Sequence, residues 1–453
     1  MSPLLLDTPS FYSSPLLWSK QLKQGDVFRL AEKEAKQNEY APFEMVQTTR
    51  LSRLKKLLQY ASKSVPLYRD LYNTLTLSPD RMQSEAYLQS FPIVNKSHFR
   101  KYGPTGCIAI DAQTSRMQAG ATSGSTGEPF QFFTDRAYEI EQGALATRVW
   151  RWVGVSTWAP KIYCSAPRNP SRWPNTFPVH PHYIFSRNEE YAEIIRASGA
   201  RLIFGNPLTT FELLWALHEN GYVDIKFDVA ALTGQALPSA LRSSLQRSFV
   251  HAVTQYYALM ELGILAVECE AHNGLHIQEE NTIIEVVDTD GDPVTPGNRG
   301  RIVVTSLSNE VMPFIRYDIG DFGFIRPNSC PCGRSSRLLT VEGRSEDLFL
   351  TPSGEIRYST IFRDKLDEYF EYFHKYQAIQ SDLSSFTIKV VPTNLFTRRL
   401  EKAIVAELLD ILEYPAQVSF VCVDTLPSLS NGKFQQFIST IWQSRFLDRI
   451  AAD

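Results

Sequence analysis

Apolar residues recur along the first part of the chain with the period of a helix. Leu51, Leu54, Leu57 and Leu58 fall on one face with Arg and Lys between them, and residues 25–64 read as helical throughout. Val65-Pro66-Leu67-Tyr68 predicts the end of that helix. Residues 82–99 form another mixed helical stretch, broken at Pro92, and 137–153 predict a helix carrying Trp150 and Trp152. Phe130-Gln131-Phe132-Phe133 reads as a strand.

Short apolar runs then alternate with helical stretches. Strands are expected at 161–164, 201–205, 228–233 and 253–257, and helices at 189–198, 208–219 and 239–249. That alternation predicts a parallel α/β sheet, which binds ligands beyond the carboxyl ends of its strands. A long irregular segment through His182, rich in Pro, Asn and Trp, is of the kind that often contributes to a binding site. From Leu275 the pattern changes. Strand-like runs at 282–287 and 300–305 are separated by turns such as Asp290-Gly291-Asp292-Pro293. The expected fold is therefore α/β: a large N-terminal domain, residues 1–343, of parallel α/β sheets plus a small β-barrel-like region. A small mobile α+β C-terminal domain, residues 344–453, is expected to follow.

Composition narrows the classes. The chain of 453 residues is 43% hydrophobic and 21% charged, ordinary for a globular protein with a large core. A net charge of −3 and the lack of a basic run argue against a nucleic-acid or membrane-surface partner. Residues 1–20 contain Leu4-Leu5-Leu6 but no charged start and no long apolar core, so no signal peptide is expected. No stretch reaches the 18 or so apolar residues of a membrane span. Six cysteines do not make a disulfide scaffold in so long a chain, and a cytoplasmic location with reduced thiols is expected. Oligomeric state is not legible.

The chemistry-bearing stretch is Thr122-Ser123-Gly124-Ser125-Thr126-Gly127-Glu128-Pro129. Glycines let a backbone approach a ligand closely, and hydroxyls with amides surround a polyphosphate. No Lys follows the second Gly, so this is not the Walker loop. Further along come Thr233-Gly234-Gln235-Ala236-Leu237-Pro238, Gln255-Tyr256-Tyr257-Ala258-Leu259-Met260-Glu261 and Arg316-Tyr317-Asp318-Ile319-Gly320-Asp321. Gly343-Arg344-Ser345-Glu346-Asp347 and Ser430-Asn431-Gly432-Lys433 complete the series.

This ordered set, over about residues 45–440, resembles the adenylate-forming superfamily of acyl-CoA synthetases and adenylation domains, and most of all its phenylacetate–CoA ligase and CapK-like branch. The resemblance implies a small-molecule carboxylic acid as substrate. Its oxygen attacks the α-phosphate of ATP, pyrophosphate leaves, and a second nucleophile takes the acyl group from the adenylate. It implies that Ser123, Gly124, Ser125, Thr126 and Gly127 hold the leaving phosphates. Gly234, Gln235 and Ala236 would pass beside the adenine and the acyl pocket, and Tyr257 would stack on the adenine. Glu261 would hold Mg²⁺ through the phosphates, Asp321 would accept from the ribose hydroxyls, and Arg344 would contact ribose or phosphate. Glu346 matches the hinge carboxylate. Lys433 would neutralise charge developing between carboxylate and α-phosphate, worth on the order of 3–4 kcal/mol of barrier.

Two departures bear on the substrate. Ala258 stands where the family has Gly, and Met260, where it has Thr or Ser, has no hydroxyl to donate. After the hinge, 351–358 diverge from the branch in a stretch that shapes the thiol tunnel of CoA-using relatives. The residues thus leave coenzyme A and an amino acid or other amine both open as acyl acceptor, with a catalytically silent nucleotide-binding scaffold as a remote third reading. The aromatic segment 150–173, residues 204–207 and Gln235 are candidates for the acyl pocket, although core packing accounts equally well for the aromatics.

Cys330-Pro331-Cys332-Gly333 is a tight thiol pair, with Cys269 and His276 upstream. Three thiols and an imidazole meeting would form a closed tetrahedral zinc site, and the resemblance implies a structural rather than a catalytic metal; a tight turn with two free thiols is the alternative. His272 is the other available nitrogen.

Overall fold

In the computed structural model, the described residues are 26–113, 115, 117–122, 130–164, 175–179, 187–235, 237–344, 348–369, 371–426 and 434–441. The chain opens with helices α1 (Asp26–Asn38), α2 (Phe43–Ser64), α3 (Pro66–Thr74) and α4 (Lys96–Cys107). On α2, Leu54, Leu57 and Leu58 are fully buried, as their spacing requires, each contributing about 1.5–3 kcal/mol. Pro66 does end α2, but it also begins α3. A proline is favoured at the first helical position, so one residue serves both as stop and start. Residues 85–90 are a short 3₁₀ turn rather than continuous helix, and Asn95 caps α4 by accepting from the Ser97 and His98 amides.

Hairpin β1 (Met117–Ala121) and β2 (Gln131–Asp135) follows, then α5 (Arg136–Arg151). The low-packing residues of β1 have a purpose in this pairing. A Cβ on Gly120 would lie 2.2 Å from the ring of Phe132, so only glycine lets that ring cross the strand.

The parallel part of the main sheet comprises β3 (Lys161–Cys164), β4 (Thr176–Val179), β5 (Leu202–Gly205), β6 (Phe227–Leu232) and β7 (Val250–Leu259). Helices α6 (Asn188–Ser198), α7 (Pro207–Glu219) and α8 (Ser239–Ser248) lie between them in the chain. Leu213, Leu217, Leu241 and Leu245 pack with one set of strand residues, and Ala146 and Trp150 of α5 pack with another. Covered in this way, every residue of β5 is buried. Strand β4 lies within the stretch read as irregular. It is the edge strand, where Pro178 costs no ladder bond.

The antiparallel region comprises β8 (Gly263–Glu268), β9 (Leu275–Ile277), β10 (Thr282–Val287), β11 (Gly300–Ser306), β12 (Tyr317–Ile325) and β13 (Leu338–Arg344). It joins the parallel strands through β7. Among the described residues the order is β10-β11-β12-β13-β9-β8-β7-β6-β5-β3-β4. Strand β12 alternates buried and half-buried positions, the pattern of a strand with one covered face.

Past residue 344 come hairpin β14 (Leu348–Leu350) and β15 (Ile356–Tyr358), helix α9 (Thr360–Leu366), then β16 (Phe373–Asp382), β17 (Ser385–Pro392), α10 (Arg398–Leu412), β18 (Gln417–Cys422) and β19 (Phe437–Ser439). These last strands form a separate sheet, β18-β17-β16-β19, over a core of Phe349, Phe362, Phe386, Leu408 and their neighbours. No described helix is long and apolar enough to cross a membrane.

Candidate active site

A cavity of about 460 Å³ lies beyond the carboxyl ends of β6 and β7, between the main sheet and the C-terminal sheet. The sequence builds its walls by simple means. After β6 the chain turns at Gly234, whose φ of +85° a side chain would strain. Gln235 follows on the cavity wall. The carboxyl end of β7, from Gln255 to Leu259, lines the cavity, and Tyr256 is at the same time packed into the core at 9% exposure.

Asp321 is placed by an irregularity in β12. The register against β11 shifts between Arg301 and Val303. Asp318 Oδ1 accepts from the Gly320 amide at 2.9 Å, and Gly320 adopts φ +78°. Asp321 then sits on the cavity wall, only 6% exposed, and accepts a hydrogen bond from the Tyr257 hydroxyl. Arg344 ends β13 directly across from Asp321 in the ladder. Thus Gly234, Gln235, Tyr257 and Asp321, from separate motifs, meet around one cavity.

Glu261 lies in the β7–β8 turn, buried, with the Tyr317 hydroxyl donating to its Oε1 at 3.3 Å. It does not line this cavity. Met260 beside it is 46% exposed, and Ala258 is on the cavity wall. Ser123, Gly124, Ser125, Thr126 and Gly127 lie outside the described residues, as do Ala236, Glu346 and Lys433. Thr122 and Phe130, on either side of residues 123–129, are described. The Thr122 amide donates to the Phe130 carbonyl at 2.9 Å, so the β1–β2 hairpin closes just before the loop. Phe434, next in sequence to Lys433, reaches the cavity, and its carbonyl accepts from Gln235 Nε2 at 2.9 Å. Among the described acyl-pocket candidates, Gln235 alone lines the cavity. Trp150 and Phe204 pack edge to face in the core, ring centroids 5.3 Å apart.

One wall was not foreseen from the sequence. Arg242 donates to both oxygens of buried Glu268 at 2.8 and 2.9 Å, and Glu268 Oε2 accepts from the Gln255 amide at 3.0 Å. His272 Nδ1 lies 3.2 Å from the same carboxylate. Arg242 and Glu268 stand in no motif and lie 26 residues apart in sequence, so no local pattern marks their pairing.

Cys269, directly after Glu268, belongs to a second cluster. Its Sγ is 3.5 Å from Cys330 Sγ, and Cys332 Sγ is 3.3 Å from His276 Nε2. All four ligand atoms lie within 4.8 Å of one another, and His276 rather than His272 joins the thiols. A tetrahedral zinc ion would separate its sulfurs by roughly 3.8 Å, so the donor set and spacing fit. Burial pushes the His276 imidazole down to about 4, keeping it in the neutral form that binds metal. Ser336 Oγ sits 2.9 Å from its Nδ1 and orients the ring.

No family model matches the chain. It is 25% identical over 334 residues to the phenylacetate-coenzyme A ligase of Thermus thermophilus, covering 69% of this chain and 73% of that protein. It is 23% identical over 384 residues to the phenylacetate-coenzyme A ligase of Escherichia coli, covering 78% and 84%. A 2-hydroxyisobutyryl-CoA ligase solved in its post-adenylation state superimposes with a TM-score of 0.76 at 18% identity, covering 92% of this chain and 94% of that one. The same ligase in its thioesterification state gives 0.61 at 19% identity with equal coverage. The resemblance carried by the motifs is borne out for the phenylacetate–CoA ligases. Nothing singles out the CapK-like group.

Proposed function

We propose that this relative of the phenylacetate-coenzyme A ligases, with the fold of adenylate-forming CoA ligases, activates a carboxylic acid with ATP and passes the acyl group to coenzyme A. One observation carries the reading: Gly234, Gln235, Tyr257 and Asp321 converge on one cavity reached by the segment that follows Lys433. The cavity provides a flat backbone and an aromatic ring for a purine, and a buried carboxylate for two vicinal hydroxyls.

In the first step a carboxylate oxygen of the acid attacks the α-phosphorus, and the bond to the bridging oxygen of pyrophosphate breaks. Residues 123–127 would hold the departing phosphates by backbone amides and hydroxyls. Mg²⁺, when bound with ATP, neutralises charge on those phosphates, and Glu261 is the carboxylate that would hold it. Lys433 would sit against the α-phosphate and the incoming carboxylate. In the second step a thiol attacks the acyl carbonyl and AMP leaves. Residues 344–453 would act as the part that moves between the steps, turning near Glu346. The chain superimposes better on the post-adenylation state of the 2-hydroxyisobutyryl-CoA ligase than on its thioesterification state. The Cys269, His276, Cys330 and Cys332 cluster would hold zinc in a structural role, with no open coordination position.

Coenzyme A is preferred over an amine because the sequence relatives and the similar solved structures are CoA ligases. The test offers ATP, Mg²⁺ and phenylacetate, anthranilate or 2-hydroxyisobutyrate, with either coenzyme A or an amino-acid mixture, and weighs the products. Pyrophosphate, AMP and an acyl thioester are expected. An amide formed in preference to a thioester would overturn the acceptor, and ATP turnover to ADP would overturn the mechanism.

A further inference from the structure

Phe434 is the first described residue after Lys433, and it is clasped from three sides. The residue is 8% exposed. Lys375 Nζ, on β16, lies 4.6 Å from the ring centroid. The same ammonium is 3.4 Å from Glu212 Oε1, on α7. Gln235 Nε2 holds the Phe434 carbonyl at 2.9 Å. The residues beyond are tied to β16: Gln377 Nε2 donates to the Gln435 carbonyl at 2.9 Å, and the Ala378 amide to the Gln436 carbonyl at 2.8 Å. Strand β16 belongs to the C-terminal sheet, whereas Glu212 and Gln235 belong to the large unit. The clasp therefore spans the two.

We propose that Lys375, Glu212 and Gln235 are positioning residues for the adenylate-forming step, fastening Phe434 between the two parts and so fixing where its chain neighbour Lys433 enters the nucleotide site. The inference rests on the acid-activating function proposed above. Lys375 is placed between a carboxylate and an aromatic face, both of which attract a cation, and at 14% side-chain exposure solvent weakens neither contact much. Contacts made across the two parts stabilise only the arrangement that contains them. A rearrangement for thioester formation must release them. Their loss accordingly falls on the first step and spares the second.

Two variants and two readouts test this. Lys375→Ala should slow pyrophosphate release roughly tenfold with little change in KM for ATP, the effect of losing about 1.4 kcal/mol of positioning. Transfer from supplied phenylacetyl-adenylate to coenzyme A should be unchanged or faster. Lys375→Arg keeps both contacts and should restore the first step. Glu212→Lys combined with Lys375→Glu restores the ion pair but sets a carboxylate against the ring, and should not. Equal loss in both steps, or no loss in either, overturns the proposal.

The second readout does not depend on turnover. Cys422 is exposed and Val223 is 56% exposed, so donor and acceptor dyes at Cys422 and Val223→Cys report the separation of the two parts in the full chain. With ATP present, Lys375→Ala should shift population away from the distance that predominates in the parent protein, and an unchanged distribution overturns the clasp. If the parent protein releases no pyrophosphate with any acid offered, the functional reading has failed, and the dye distances alone decide the clasp.

Discussion

At the scale of residues, Asp321 and Tyr257 form one unit. The tyrosine hydroxyl donates to the carboxylate, and both line the cavity. Asp321→Ala removes a charged acceptor from bound ribose and should raise KM for ATP roughly 10- to 100-fold, with a smaller effect on kcat. Tyr257→Phe keeps the ring and loses only the hydrogen bond, so about a fivefold rise is expected. Steady-state kinetics with ATP varied separates the two. The residues of recognisable motifs were legible because their chemistry needs particular types at particular places. Arg242 and Glu268 were not, since an ion pair between residues on α8 and β8 leaves no local periodicity or spacing to read. Arg316, in the motif that contains Asp321, proves to be a structural residue: its guanidinium donates to the Phe91 carbonyl at 2.6 Å and to Glu285 at 3.1 Å.

Glu279 makes a stability prediction at the same scale. Burial pushes its carboxyl up, but the Arg337 and Arg50 guanidiniums outweigh burial and hold it below its ordinary value of 4.5. A carboxyl with a lowered folded-state pKa contributes stability that is present above 4.5 and is lost as pH falls through the folded value. The melting temperature should therefore drop on acidification from pH 6 to below 4.5. Glu279→Gln should be less stable at pH 7 and show a shallower pH dependence. Glu279→Ala takes one of two carboxylate partners from buried Arg50, which keeps Glu85, and removes the partner of half-buried Arg337; it should cost about 1.5–3 kcal/mol, read from denaturant unfolding.

At the scale of elements, alternation of strand and helix between residues 161 and 259 announced the parallel sheet because the inner strands β5 and β6 are almost wholly buried, with helices packed over them. Strand β4 escaped notice because a proline and polar neighbours are tolerated at an edge. The pairing of β1 with β2 escaped because its small residues serve a crossing aromatic ring and carry no hydrophobic pattern of their own. The Cys269–His276–Cys330–Cys332 cluster ties the end of β8 to the loop before β13. Metal analysis of protein purified without chelator should find about one zinc per chain. Cys330→Ser should lose the metal and lower the melting temperature by several degrees, the shift expected for a loss of a few kcal/mol in a protein of this size. Metal-free protein of unchanged stability would remove the cluster from the structural account.

At the scale of the whole molecule, the proposed two-step cycle uses both sheets and the cavity between them, with one rearrangement between the steps. Lys433→Ala should cripple adenylate formation while transfer from supplied acyl-adenylate survives. A proline in place of Glu346 should slow transfer more than adenylation, because it stiffens the segment that has to turn. Motif order along the chain made the nucleotide chemistry legible. The acid was not legible, because its pocket is shaped by side chains whose neighbours are set by the three-dimensional fold.

The most direct measurement follows oxygen. With an acid that supports pyrophosphate release, labelled with ¹⁸O in its carboxylate, each turnover should leave one ¹⁸O atom in AMP and none in pyrophosphate. That result requires a bond from the acid to the α-phosphorus. Label appearing instead in orthophosphate, alongside ADP, would mean attack at the terminal phosphorus and would contradict the proposed chemistry.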